Sequence, residues 1–516
     1  MAVSFHVENF GCRAARADGE AVSSRLHSEG LCTGEPSAAE VVVVNTCSVT
    51  AEADRAARAF IRRTHRRNPQ AKIVVTGCYA QRAPEELAGL AGVAAVIGNS
   101  HKALAPEIIT GLLERTTTHP GNDLIQIQMP KNPERAISEP MAPPQVAQVA
   151  QVVWADDRFA HSFLEEAQIT PGAQTRPNLK IQEGCGNRCT FCVIPATRGP
   201  SKSLSAAAVL LQVEGFIAAS GKELVLSGIN LGRWGRDLSG SSGLQSLIGI
   251  PGFPPIRKER EWMGHPDFLE TPTPRTLAGL LRTIFEQTEL PRLRLSSIEP
   301  MDWDAELIAI MAEYGGKRLA RHAHLPLQSG SDAVLRRMHR RYRPWHYAEK
   351  VAALLKAAGP ELTLGADVMV GFPGESDAEF EETCAFIQAL PFGYLHLFPF
   401  SPRPGTPGWA MHAERPVQPA VVSERMAALR TLAAEKSRAH RRQFIGQELE
   451  AITLNTPAEM AARGLTAALT ENFLPVELEG RWEANQLARV QVNALKADET
   501  LEAAVVEPQR LSNLLL

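Results

Sequence analysis

Lys180-Ile181-Gln182-Glu183-Gly184-Cys185-Gly186-Asn187-Arg188-Cys189-Thr190-Phe191-Cys192 reads as a strand, a glycine-flanked turn and three cysteines spaced Cys-x3-Cys-x2-Cys. One loop with that spacing can wrap three thiolates around one face of an iron–sulfur cubane and leave one iron without a protein ligand. An open iron can bind a substrate directly, as an open position does in any catalytic metal site. Gly184 and Gly186 give the backbone room to curl. A structural zinc site would need a fourth partner nearby, and three closely spaced cysteines without one argue against it.

The cysteine loop opens a run of repeated strand–helix units. Candidate strands fall at 179–182, 223–227, 292–296, 322–327, 362–370 and 394–398, with helical patterns between most of them. Units of this number predict an α/β fold built as a partial (β/α)6 barrel. The loop follows the first strand, at the mouth where barrel enzymes place their chemistry. One stretch, 239–274, is rich in Ser, Gly and Pro and reads as an inserted surface loop.

Upstream, three β-branched-rich runs (3–7, 40–44 and 72–75) alternate with helical stretches such as 51–67, which predicts a parallel-sheet domain. Three more cysteines sit just past those strands, in Phe10-Gly11-Cys12, Asn45-Thr46-Cys47 and Thr76-Gly77-Cys78. Parallel strands deliver their C-terminal ends to one sheet edge, so the three thiolates converge and a second cluster is the natural reading. Cys384 shares a helical face with Phe380 and Ile387 and reads as core; Cys32 has no evident partner and reads as structural. A disulfide framework fits badly in a chain of 516 residues that reads as cytoplasmic.

Hydrophobic residues make up 44% and charged residues 22%, as in a soluble globular protein. No apolar stretch is long enough to cross a bilayer, and the start lacks the regions of a secretory signal. The expected location is the cytoplasm. The net charge of −3 leaves room only for a local nucleic-acid patch. Two basic runs are candidates: Arg55, Arg58, Arg62, Arg63, Arg66 and Arg67 on a helix, and Arg336 to Arg343 with His339 and Tyr342. Either can equally be a solvated helix face. A poor segment at about 116–177, with a short helix at 163–168, reads as a linker. A long helix over 420–442, with Pro419 just before it, leads to short runs at 450–454, 473–478 and 488–492, which predict a small all-β domain within 448–506.

The cysteine loop resembles the radical S-adenosylmethionine (SAM) motif. With the second cysteine set and a third small β domain, nearly the whole chain resembles the methylthiotransferases. Asn45-Thr46-Cys47-Ser48-Val49-Thr50 and Val75-Thr76-Gly77-Cys78-Tyr79-Ala80-Gln81 are similar to that family's N-terminal domain. Arg294-Leu295-Ser296-Ser297-Ile298-Glu299, His324-Leu325-Pro326-Leu327-Gln328-Ser329-Gly330-Ser331 and Val370-Gly371-Phe372-Pro373-Gly374-Glu375 are similar to its barrel signatures. The C-terminal block resembles the TRAM domain, a small β-barrel that binds RNA. The organisation this implies is a methylthiotransferase domain at 1–112, a linker at 113–170, a radical SAM domain at 171–410 and a TRAM-like domain at 442–508.

The resemblance implies two 4Fe-4S clusters, one on Cys185, Cys189 and Cys192 and an auxiliary one on Cys12, Cys47 and Cys78, with SAM as the other cofactor. One SAM would donate a methyl group to sulfur attached at the auxiliary cluster, and another would yield a radical that removes hydrogen from the acceptor carbon. Gly228, Asn230, Gln328 and Ser329, with Arg403 and Thr406, occupy positions where a barrel enzyme would hold the nucleoside of SAM. Among the branches, Val41 to Arg58 and Ile194-Pro195-Ala196-Thr197-Arg198-Gly199 with Ser201 and Ser203 look most like the enzymes that modify N6-threonylcarbamoyladenosine beside the tRNA anticodon (position 37). Expected partners are tRNA, an electron donor and a sulfur source, with no membrane and a monomeric chain. The alternatives are an isopentenyladenosine enzyme, a ribosomal-protein enzyme and a non-catalytic iron–sulfur RNA-binding protein. Many members carry Asn three residues after the first cysteine, where this chain has Ala15, which puts the contacts of that loop in question.

Overall fold

The computed structural model describes residues 3–118, 152–163, 169, 175–238 and 274–508. Most of the expected linker, the expected helix at 163–168 beyond its first residue and nearly all of the 239–274 insertion lie outside the described residues. The chain divides into two compact units, Met1–Leu164 and Glu165–Leu516.

The first unit is built on β1 (Ser4–Asn9), β2 (Cys32–Thr33), β3 (Val41–Thr46), β4 (Lys72–Gly77), β5 (Val93–Gly98) and β6 (Val152–Trp154). They form one parallel sheet in the order β2-β1-β3-β4-β5-β6. All four valines of Val41–Val44 are buried, because a central parallel strand is covered on both faces. Val41 and Val43 pack with Ala21, Val22, Leu26 and Ile109. Val42 and Val44 pack with Phe60, Ile61 and Tyr79 on the other face. The helix Ala51–Arg67 starts where the sequence predicts: Thr50 accepts a hydrogen bond from the Ala53 amide (3.3 Å), and Glu52 and Asp54 fill the first turn. The sequence reading overlooks three strands. β2 has two residues, β6 has three, and β5 carries two alanines that give no strand preference. The 113–170 range contributes two pieces here: the helix Ala105–Thr118 runs into it, and β6 adds the sixth strand.

In the second unit the six expected strands appear as β7 (Asn178–Glu183), β9 (Glu223–Gly228), β10 (Arg292–Leu295), β11 (His322–His324), β12 (Thr363–Val370) and β13 (Phe392–Pro399); β8 (Lys202–Ser203) pairs antiparallel to β7. β7, β9 and β10 form one parallel set and β11, β12 and β13 another. A single parallel bridge, Leu293 to Leu319, sews the sets together, with the Ala320 amide donating to the Leu293 carbonyl (2.9 Å). No pairing closes β13 onto β7 among the described residues, so the barrel is partial.

The helix Pro419–Arg442 leads into β14 (Glu448–Thr453), β15 (Leu465–Thr470), β16 (Pro475–Glu479), β17 (Leu487–Leu495) and β18 (Leu501–Pro508), which close into a barrel in the order β14-β15-β16-β18-β17. Ala488, Val490 and Val492 point into its core while Arg489, Gln491 and Asn493 face outward. This barrel is fastened to the N-terminal ends of β9, β10 and β11. Glu223, fully buried, receives Arg294 (2.8 Å) and Arg292 (3.3 Å). Arg292 also pairs with Glu450, Arg294 donates to the Thr470 carbonyl (3.2 Å), and Arg321 pairs with Glu471 (2.6 Å).

Burial alone would raise the Glu223 pKa, but Arg294 and Arg292 hold it at about 2. A depressed carboxylate pKa contributes stability that is present above its unfolded value of 4.5 and is lost as pH falls toward 2. Glu223→Ala leaves Arg294 buried without its carboxylate and Arg292 with Glu450 alone. It is expected to cost about 3–5 kcal/mol. Urea unfolding at neutral pH measures this as a lower midpoint, and the gap between variant and wild type should narrow in acid.

Candidate active site

The strand β7 is buried throughout and ends at Gly184, whose φ is +69°. A Cβ there would lie 2.0 Å from the Pro200 carbonyl oxygen, so only glycine allows the turn. The Cys185 amide donates to the Gly199 carbonyl (3.1 Å). Gln182 staples the loop: its Nε2 donates to the carbonyls of Glu183 and Gly184 (2.8 Å each) and to Ser201 Oγ (2.9 Å). Its Oε1 accepts from the Asn230 amide (2.6 Å). Beneath the loop the buried Glu183 carboxylate receives Lys180 Nζ and Arg198 Nη1, both at 2.8 Å.

Each cysteine sulfur has a nearby donor or neighbour. Cys185 accepts from the Asn187 amide (3.4 Å) and from Asn230 Nδ2 (3.7 Å). Cys189 accepts from Arg340 Nη1 (3.3 Å). Burial pushes the Cys192 thiol up to about 12, with Cys189 and Cys185 adding to the rise, and burial also raises Cys185. Metal loading must displace these protons, so it becomes easier as pH rises. Three cysteine thiols on one loop are a donor set that suits an iron–sulfur cluster.

The four proposed SAM contacts divide. Asn230 stands beside Cys185, and its buried Oδ1 has no hydrogen-bond partner among the described residues. Gln328 holds a left-handed φ of +64° with a buried Oε1 likewise unpaired. Gly228 lies against Gln182, where a Cβ would be 2.9 Å from the Gln182 Cβ. Ser329 instead turns into the helix Asp377–Ala389, its hydroxyl 3.0 Å from Thr383 Oγ1. Thr406 caps the helix Pro407–Glu414, and its hydroxyl donates to the Arg403 carbonyl (2.7 Å).

In the first unit the Gly11 backbone (φ +107°) passes so near Cys47 that a Cβ would lie 2.1 Å from the Cys47 Cβ. Gly77 (φ +98°) presses the start of the helix Cys78–Arg82 onto the Thr46 carbonyl in the same way. The sheet edge thus gathers Cys12, Cys47 and Cys78. Cys47 also accepts from the Val49 amide (3.5 Å) and Cys78 from Asn99 Nδ2 (3.4 Å). The Cys47 thiol is pushed far up, first by its hydrogen bond with Cys12, then by burial and by the neighbouring Cys12 and Cys78. Such mutual opposition to ionisation is what cations at the site would relieve. The buried Ala15 keeps its loop in place through its carbonyl, which accepts from Asn45 Nδ2.

The basic runs resolve differently. Arg340 and Tyr342 are buried, and Arg340 pairs with Glu299. Tyr342 donates toward the Pro326 and Leu327 carbonyls (2.7 and 2.6 Å). Arg337 makes a two-pronged pair with Glu379 (2.7 and 2.8 Å), and Arg336 and Arg343 both reach Asp332. Arg340 and Tyr342 of that run are thus inside the fold, Arg337 and Arg343 are half-buried and paired, and Arg336, His339 and Arg341 are exposed. The other run keeps Arg62, Arg63, Arg66 and Arg67 exposed, while Arg58 bonds Tyr79 and Glu86. Cys32 is exposed on β2, and Cys384 is half-buried. Sequence reading overlooks Gln182, Glu183 and Arg340. Arg340 stood in a basic run, but nothing in its spacing distinguished a buried partner of Cys189 from a solvated arginine.

A partial barrel with a three-cysteine loop after its first strand defines a radical SAM protein, and residues 179–387 match the Radical SAM superfamily. That class uses SAM and a 4Fe-4S cluster. Residues 4–98 match an uncharacterized protein family, UPF0004. The chain is 31% identical to the threonylcarbamoyladenosine tRNA methylthiotransferase of Bacillus subtilis, covering 99% of each chain. It is 30% identical to that of Aquifex aeolicus, over 95% of this chain and 100% of the other. The tRNA-2-methylthio-N(6)-dimethylallyladenosine synthase of Erythrobacter litoralis is 30% identical over 88% of this chain and 87% of its own. The chain belongs to the radical SAM methylthiotransferase family, in the threonylcarbamoyladenosine tRNA methylthiotransferase branch. It is an enzyme.

Arg340 brings a positive charge and a hydrogen bond to Cys189, both of which would favour the reduced, more negative form of a cluster held there. Arg340→Gln, made in a Cys12→Ala, Cys47→Ala, Cys78→Ala background so that only a cluster at this loop can report, should move the reduction potential to more negative values. An EPR-monitored redox titration of reconstituted protein measures it.

Proposed function

We propose that this enzyme attaches a methylthio group to carbon 2 of N6-threonylcarbamoyladenosine in tRNA. The observation that carries the reading is the pairing of two cysteine sets in one chain, Cys185, Cys189 and Cys192 after β7, and Cys12, Cys47 and Cys78 at the C-terminal edge of a parallel sheet. The second set holds an auxiliary 4Fe-4S cluster. Its donors fit such a group: three thiolates on separate strand ends, packed by Gly11 and Gly77 and opposed to ionising together. When bound, the clusters and SAM supply the radical and the methylated sulfur.

The protein's own residues bind and orient. Asn230 and Gln328 present unpaired buried amide oxygens for SAM, and Gly228, without a side chain, packs against Gln182 beside them. Ser329 supports the Gln328 turn through Thr383. The closed C-terminal barrel, TRAM-like in its position after the radical SAM domain, and the exposed arginines of Ala51–Arg67 bind the tRNA backbone. An electron donor and a sulfur source complete the reaction, and a tRNA substrate puts the enzyme in the cytoplasm. No helix among the described residues is long and apolar enough to cross a membrane.

The second reading is the isopentenyladenosine enzyme, favoured by the similarity to the Erythrobacter protein. Nucleoside analysis of tRNA from a deletion strain separates them. Loss of the methylthio group from threonylcarbamoyladenosine alone is expected, and its loss from the isopentenyl nucleoside alone would overturn the choice. Anaerobic reconstitution should give about eight irons per chain, falling to about four in Cys47→Ala. About four irons in the wild type would remove the auxiliary cluster.

A further inference from the structure

Three adjacent strands of the partial barrel carry a group of ligand-type side chains distinct from the cysteines. His324 ends β11, Asp367 lies in β12 and His396 in β13. Asp367 and His396 are register partners, and His324 pairs with Gly365 two residues away, so the three share one face. One ligand atom from each lies within 4.8 Å of the other two. Among the described residues this is the one group of three His, Cys, Asp or Glu side chains so closely gathered. His324 Nε2 is 3.2 Å from Asp367 Oδ2, and His396 Nδ1 is 3.4 Å from Asp367 Oδ1, so the imidazoles address different oxygens of one carboxylate.

The surroundings orient the group. Gly365 has no side chain, and a Cβ there would fall 2.0 Å from Tyr394 Cζ. The Tyr394 ring therefore lies over β12 and sets its hydroxyl 3.0 Å from His324 Nδ1 and 2.7 Å from His322 Nε2. A ligating histidine characteristically has its other ring nitrogen hydrogen-bonded, which fixes tautomer and ring plane. The Tyr394 hydroxyl thus supplies the outer hydrogen bond at His324 Nδ1, and Nε2 faces the Asp367 carboxylate at 3.2 Å. His324 is buried and Asp367 half-buried, whereas the His396 side chain is 59% exposed. That leaves a route for an ion and open positions on one side.

We propose that His324, Asp367 and His396 form a mononuclear site for a divalent transition metal ion in the barrel, separate from both cysteine sets. Two imidazoles and one carboxylate select zinc, ferrous iron or a similar ion over magnesium or calcium, which prefer all-oxygen sets. Three protein ligands leave positions open to water or an oxygen ligand, as at a catalytic rather than a structural site.

The test uses the full chain with its iron–sulfur sites reconstituted, so that thiolates are occupied, then desalted anaerobically and dialysed against zinc. About one zinc beyond the wild-type iron and sulfide content is expected, with cobalt giving a visible spectrum of nitrogen and oxygen ligation. His396→Ala, at an exposed position, should abolish the extra zinc while iron and sulfide stay unchanged. Tyr394→Phe should weaken zinc binding about 10–100-fold, the usual effect of removing an outer-shell partner. The proposal falls if wild type takes up no extra zinc, if His396→Ala binds it as tightly as wild type, or if cobalt shows thiolate charge-transfer bands.

Discussion

The chemistry of the second unit depends on a buried carboxylate. Glu183, the last residue of β7, sits in the protein interior between Lys180 and Arg198. A carboxylate without those partners would carry a large desolvation cost, and either cation alone would leave the pair incomplete. Arg198 comes from just beyond the cysteine loop, so this pairing returns the far end of the loop to the strand it left. Gln182 repeats the restraint with three donated hydrogen bonds and one accepted from Asn230. Between these fastenings, Gly184 makes a turn that no side chain could occupy. The cysteines inherit their positions from this frame.

The first unit solves the same problem by different means. No single loop gathers Cys12, Cys47 and Cys78; the parallel sheet does, because β1, β3 and β4 end at one edge. Close backbone approach at Gly11 and Gly77 replaces the buried ion pair, and thiols brought together resist ionising. At both sites neighbouring thiols oppose one another's ionisation, an opposition that bound cations would relieve. The loop site is local in sequence, whereas the sheet-edge site is global and rests on the valine core of β3.

Charge in this protein is spent mainly on assembly. Glu223, Arg292 and Arg294 fasten the closed barrel to the strand starts of the partial one, and Phe473 of that barrel stacks 4.3 Å from the His322 ring. Arg337, Arg340 and Arg343 knit the segment after β11 to Glu379, Glu299 and Asp332. A run of arginines that reads as a phosphate-binding patch is thus divided between internal pairing and the exposed Arg336 and Arg341, and Ala51–Arg67 carries a further exposed basic surface.

The sequence by itself determined the cluster loop, the order of the β/α units and the sheet-edge cysteines, because each is written in short-range pattern: Cys-x3-Cys-x2-Cys, β-branched-rich runs between helical stretches, and a cysteine just past each of three strands. It determined the Ala51–Arg67 helix through its helical pattern between two strand runs. It was weak where strands are short or alanine-rich, as in β2, β5, β6, β15 and β18, since these form only when a neighbour offers a ladder. Only the tertiary structure decided that Arg340 serves Cys189, that Ser329 turns to Thr383, and that His324, Asp367 and His396 share one face. Those groups come from residues tens of positions apart, and burial and register, which no local pattern encodes, bring them together.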